Sequence, residues 1–185
     1  MTDSETYLQR VGATHAALGI SENYIQRCVL PLCEEPPILV ATELDYYERP
    51  QQLTPQALAA WQAMKQSATE QGVRLFLISA FRSLQYQQDL IARKLAKGHA
   101  LEQILKVNAA PGFSEHHTGR AIDVGSDAAT ILQAAFEETT AFQWLIENAQ
   151  RFGYSLSYPR GNPHGIDYEP WHWCFSGVRV TEREA

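Results

Sequence analysis

Two stretches decide how this chain is read: Ser114-Glu115-His116-His117-Thr118-Gly119-Arg120-Ala121-Ile122-Asp123 and Glu169-Pro170-Trp171-His172. Together they offer imidazoles and a carboxylate able to ligate a metal, with one further glutamate just ahead of the last histidine. Three nitrogen or oxygen ligands with a fourth position left to water compose a catalytic zinc site. A free carboxylate beside that water supplies the base a hydrolase needs. Ligands on one helix would sit three or four residues apart. His116 and Asp123 are separated more widely, with Gly119 between them, so the spacing predicts a loop ligand followed by one on the next strand. Gly119 is expected to let the backbone turn close to the metal.

Strand alternation places Ala121 and Asp123 on one face and Ile122 and Val124 on the other. It does not choose between His116 and His117. Trp171 and Trp173 flank His172 and are expected on the face opposite to it. Each residue alone has a plainer reading: the aspartate as a turn residue, the histidines as hydrogen-bonded surface groups, Trp-His-Trp as core packing. The two stretches in combination outweigh those readings.

Around these motifs the chain reads as one α+β fold: a small antiparallel sheet carrying the zinc site, flanked by helices, with a mostly helical N-terminal extension. Residues 4–18 and 21–30 read as short helical pieces ended by Pro31 and Pro36-Pro37. Residues 34–53 look irregular, weakly stranded around Ile38-Leu39-Val40. Thr54-Pro55 is a helix entry; Leu58, Trp61, Met64 and Ala68 recur at helical spacing, and Gly72 closes that helix. Val73 to Ala80 is a strand, Ser83 caps a helix to about Lys97, and residues 100–107 form a further turn or two. Residues 108–113 are a loop and 120–124 a strand. A helix over 139–151 ends at Gly153, Tyr154 to Tyr158 is a strand, and Trp171 to Phe175 is the last one.

The 185 residues suit one domain. Apolar residues make up 45% and charged residues 19%, an ordinary globular balance that needs no disorder. A net charge of −6 without a Lys/Arg cluster argues against a nucleic-acid surface. No segment approaches the ~20 apolar residues of a membrane span. Met1-Thr2-Asp3-Ser4-Glu5 is acidic and no apolar run follows, unlike a secretory signal, so a cytoplasmic location is the expectation. Cys28, Cys33 and Cys174 do not make a disulfide framework. Cys174 shares a strand face with His172 and is a conceivable fourth ligand, though a cysteine in an apolar strand is more often a small buried hydrophobe.

The pattern Ser-x-His-x-x-Gly-x-Ala-x-Asp followed by Glu-x-Trp-His resembles the zinc D-alanyl-D-alanine carboxypeptidases of the VanY type. These belong to the group that includes lysostaphin-like endopeptidases and the hedgehog signalling domain. Ser79-Ala80-Phe81-Arg82-Ser83, with Gln87 after it, is similar to the family's Ser-Gly-Tyr-Arg-Ser and following Gln; Ala80 and Phe81 depart from it without removing a catalytic group. The resemblance runs from about residue 50 to 176. It implies a zinc carboxypeptidase domain over 51–185 and an extension, 1–50, packed on it. It also implies His116, Asp123 and His172 as ligands of one Zn2+, selecting His116 over His117. Glu169 is implied as general base, and Arg82 as the cation that stabilises the oxyanion or pairs with the substrate carboxylate. Ser114, Gln87, Tyr158 and Trp171 are implied as substrate contacts.

The substrate so implied is a peptidoglycan stem peptide losing its C-terminal D-alanine. In a cytoplasmic setting, cutting pentapeptides would deplete wall precursors. The expectation is therefore an L,D-carboxypeptidase acting on tetrapeptide muropeptides in recycling. A D,D-carboxypeptidase or a phage-type endopeptidase are the enzyme alternatives. A hedgehog-like zinc-bearing binding module is the non-enzyme one, disfavoured by the retained Glu169.

Overall fold

The computed structural model describes residues 3–177; the outermost residues of the two expected divisions, 1–2 and 178–185, lie outside it. The chain opens with α1 (Asp3–Leu18) and the single turn α2 (Tyr24–Arg27), shorter than the helix expected over 21–30. After the prolines, β1 (Val40–Ala41) pairs antiparallel with β2 (Gln52–Leu53). Thr54 then enters α3 (Pro55–Glu70) in extended conformation with proline at the first turn, where the missing N–H costs nothing. Ala57, Trp61, Met64 and Ala68 of α3 are buried on one face, the helical spacing seen in the sequence.

β3 (Phe76–Ser79) follows, and then α4 (Leu84–Ala96), capped by Ser83, whose Oγ accepts the Tyr86 N–H at 3.0 Å. The remaining elements are α5 (Leu101–Val107), β4 (Ala121–Gly125), α6 (Thr140–Asn148), β5 (Tyr154–Leu156) and β6 (His172–Phe175). Several expected boundaries move. The helix over 139–151 tightens into a 3-10 turn, Ala149–Phe152, before Gly153 turns the chain with φ +79°. The last strand begins at His172, because Trp171 still lies in a turn. A 3-10 segment, Ala134–Glu138, was not expected; it delivers the fully buried Phe136 to the core.

The main sheet is antiparallel in the order β3-β4-β6-β5. On one face Ile122 and Val124 join Leu77, Trp173 and Tyr154 against Trp61 and Met64 of α3 and Phe142 and Leu145 of α6. Each such side chain contributes about 1.5–3 kcal/mol by leaving water. A second apolar cluster joins Tyr7 and Val11 of α1 to Leu84 and Ile91 of α4, Ile104 of α5, and Ala110 and Phe113 of the loop before His116. His15 Nε2–H donates to the Pro111 carbonyl at 2.8 Å, and Tyr7 Oη–H to that of Cys33 at 2.8 Å. Gly112 has φ +88°, and a Cβ there would come 2.6 Å from Val11. The N-terminal helix thus seats directly on the segment that leads to the site.

Candidate active site

The sheet register assembles the site. Asp123 is opposite His172 of β6 on one side and Ser79 of β3 on the other. Since Ile122 and Trp173 take the apolar face, Asp123 and His172 share the other. His116 arrives from a 3-10 helix, Glu115–Thr118, in place of the expected loop, and Gly119 ends that helix with φ +62°. A Cβ on Gly119 would lie 2.6 Å from Leu39, and its carbonyl accepts the Thr54 N–H at 2.8 Å. Glycine is required there by the positive φ, which turns the backbone beside His116 as expected, and by the N-terminal segment packed over the turn.

One ligand atom each from His116, Asp123 and His172 lies within 4.8 Å of the others. His116 Nε2 is 3.3 Å from Asp123 Oδ2 and His172 Nδ1 is 3.1 Å from Asp123 Oδ1. The other nitrogens are bound outward: His116 Nδ1–H donates to the Ala80 carbonyl at 2.6 Å, and His172 Nε2 meets Glu115 Oε2 at 2.8 Å. Two imidazole nitrogens and a carboxylate facing one point are a zinc donor set, and the side chains present fit that ion. His117 is equally buried but points away. Its Nδ1–H donates to the Arg82 carbonyl at 2.6 Å and its Nε2 accepts the Gly112 N–H at 3.1 Å. Both its nitrogens are spent on cross-linking backbone. Cys174 faces Ala121 across the strands and lies outside the His116–Asp123–His172 group among the described residues.

Glu169 is 8% exposed, with Oε2 3.9 Å from His172 Nδ1. A turn holds it: its N–H donates to the Tyr158 carbonyl and its own carbonyl accepts the His172 N–H, both at 3.1 Å. Burial pushes its carboxyl up to about 7, with Asp123 adding to the rise and His172 opposing it. Asp123 shows the reverse balance: burial opposes its charge, but His116 and Arg82 hold it well below the usual carboxylate range. Burial and then Arg82 lower His116 to about 4, so its ring is neutral. Burial also disfavours a charged His172, yet the hydrogen bonds to Asp123 and Glu115 outweigh it and push the ring up to about 10. A metal ion at Nδ1 competes with that proton.

Arg82 donates from Nε to Ser79 Oγ at 3.0 Å and from a terminal nitrogen to Asp123 Oδ2 at 2.5 Å. The three ligands, Arg82 and Glu169 share a cavity of ≈ 460 Å³ whose wall also includes Gln87, Ser114, Tyr158 and Trp171. Trp171, in the turn before β6, lines the cavity and also packs against the apolar cluster that buries Trp173. Gln87 is fully buried; its Nε2 donates to the Ala109 carbonyl at 2.8 Å, and its Oε1 has no hydrogen-bond partner among the described residues. The Tyr158 ring lies 4.8 Å from that of His172, and burial pushes its phenol far above its ordinary value.

Sequence reasoning missed two residues near the site. Lys94 lines the same cavity, and its place two helical turns after Gln87 was the available signal. Glu115 bonds His172, and nothing in the linear pattern pairs them across 57 residues.

Known proteins resemble most of this chain. A D-alanyl-D-alanine carboxypeptidase of Enterococcus faecalis (strain ATCC 700802 / V583) is 30% identical over 127 residues, covering 63% of this chain and 46% of its own length. The chain spans about half the length of the curated relatives it matches. The structure of the LdcB LD-carboxypeptidase superimposes with a TM-score of 0.71 at 29% identity, over 80% of this chain and 72% of that one. That of the vancomycin-resistance D,D-pentapeptidase VanY in complex with Zn(II) gives 0.60 at 26% identity, over 78% and 84%. Residues 50–178 match the family described as VanY, D-alanyl-D-alanine carboxypeptidase, and the chain belongs to that family.

Proposed function

We propose that the chain is a zinc carboxypeptidase that removes the C-terminal D-alanine from peptidoglycan stem peptides, with tetrapeptide muropeptides as its preferred substrates. The observation that carries this reading is the cavity shared by the His116–Asp123–His172 cluster and Glu169. When bound, zinc supplies a Lewis acid that polarises the scissile carbonyl and acidifies water. Glu169 accepts the proton of the attacking water and returns it to the leaving amine. Arg82, anchored on Ser79 and Asp123, turns its remaining N–H groups toward the negative charge that develops on the carbonyl oxygen. The unpartnered Gln87 Oε1 accepts a substrate N–H, and Ser114, Tyr158 and Trp171 frame the peptide.

The preference for the L,D bond is supported by the likeness to LdcB, an LD-carboxypeptidase structure described with peptidoglycan recognition. The D,D reading is favoured by the name of the Enterococcus relative. Mass spectrometry of tri-, tetra- and pentapeptide muropeptides after incubation with zinc-loaded protein separates the two, with a chelator control. Loss of the fourth residue alone is the expected result; loss of the fifth alone establishes D,D activity, and internal cleavage an endopeptidase. A cytoplasmic place in muropeptide recycling belongs to the same proposal, and cell fractionation tests it.

A further inference from the structure

We infer that Glu115 is a positioning residue of the metal centre: its carboxylate holds the Nε2–H of His172 and so presents the Nδ1 lone pair to the ion. The inference rests on the metal-site reading above and concerns a residue that is not among those lining the cavity. A neutral imidazole has two tautomers, and only the one protonated on Nε2 can ligate through Nδ1. Here Glu115 Oε2 approaches His172 Nε2 at 2.8 Å, while Nδ1 faces Asp123, the neighbouring ligand, at 3.1 Å. Glu169 approaches the opposite nitrogen, Nδ1, at 3.9 Å. The two glutamates thus serve different sides of one ring, one in the reaction space and one behind it.

The placement also links the halves of the site. Glu115 and His116 are consecutive on the 3-10 helix Glu115–Thr118, while His172 opens β6. One short turn therefore supplies a ligand directly and orients a second ligand that the sheet delivers. The other ligand histidine is oriented by a neutral group, the Ala80 carbonyl at 2.6 Å. A carboxylate behind His172 adds charge that makes its ring a stronger donor, and outer-sphere partners of this kind typically change metal affinity by about 10–100-fold.

The test measures zinc affinity by competition with a chromogenic chelator, for the full chain and for Glu115→Ala and Glu115→Gln. Long-range proton–nitrogen NMR of the zinc-loaded wild-type protein reads which nitrogen of His172 carries the proton. Expected are a proton on Nε2, a loss of affinity of about 10–100-fold in Glu115→Ala, and a smaller loss in Glu115→Gln, whose amide oxygen still accepts the bond. A merely structural side chain would leave zinc affinity at the wild-type value in Glu115→Gln, which keeps the volume and the hydrogen bond and loses only the charge. Wild-type affinity in both variants, or a proton on Nδ1, overturns the inference; the NMR readout decides even if Glu115→Ala does not fold. A wild-type protein that takes up no zinc overturns the metal-site reading as well, which the variants alone would not do.

Discussion

On one face of β4, Ile122 and Val124 meet Trp61, Phe142 and Trp173; on the other face of the same strand, Asp123 meets Arg82, His116 and His172. Both faces are covered, since every residue of β4 is buried. The apolar face is held by area removed from water and tolerates local loss in proportion to the atoms removed. The polar face is held by mutual neutralisation, because an unpaired buried charge is costly and a paired one persists. One strand thus carries a structural half and a chemical half. Damage to the first should appear as lost stability with the chemistry intact, and damage to the second above all as lost zinc binding and turnover.

The largest effect expected on the chemical side is that of His116→Ala, which removes a ligand and with it zinc binding and turnover. His117→Ala should keep zinc and instead destabilise the fold by about 1–3 kcal/mol, the cost of stranding the Arg82 carbonyl and the Gly112 N–H. Elemental analysis of both proteins decides, and full zinc occupancy in the first would return the ligand role to His117. Next in size, Glu169→Ala should retain zinc while hydrolysis falls at least ~100-fold. Near-native turnover with zinc content confirmed would remove Glu169 from its role.

On the structural side, Ile122→Ala should cost about 2–5 kcal/mol in denaturant unfolding while zinc stoichiometry stays at one. A lost metal with unchanged stability would erase the contrast between the faces. The smallest effect concerns pH and lies outside both faces, at His15 of α1. Burial lowers its pKa below the ordinary 6.5, with the Pro111 hydrogen bond opposing. The folded state thus favours the neutral ring, and the unfolded chain binds the extra proton first as pH falls. The stability His15 contributes is complete above about 6.5 and is lost as pH drops from there through the lower folded-state pKa. Thermal unfolding at pH 5 and pH 7.5 should show a smaller drop for His15→Gln than for the wild type. An identical drop would assign the acid sensitivity to other groups.

Several elements were legible because their signals are local. Thr54-Pro55 and Ser83 mark helix entries through capping and proline geometry, and the helical spacing of Trp61, Met64 and Ala68 shows the buried face of α3. The 3-10 turns at Glu115–Thr118 and Ala134–Glu138 carry no such signature, being too short to show a period. Their existence depends on what they pack against.

By itself the sequence determined the kinds of atom available: two histidines, an aspartate and a nearby glutamate, with alternation that separates Asp123 from Ile122. Only the tertiary structure decided where those atoms go. His116 and His117 are chemically identical neighbours, and the choice between them comes from which carbonyls stand opposite each ring. The same holds for Glu115 behind His172, and for Gly119, whose bare Cα answers to Leu39. Residue type sets what a side chain can do, while direction in space is set by partners distant along the chain, which no local pattern records.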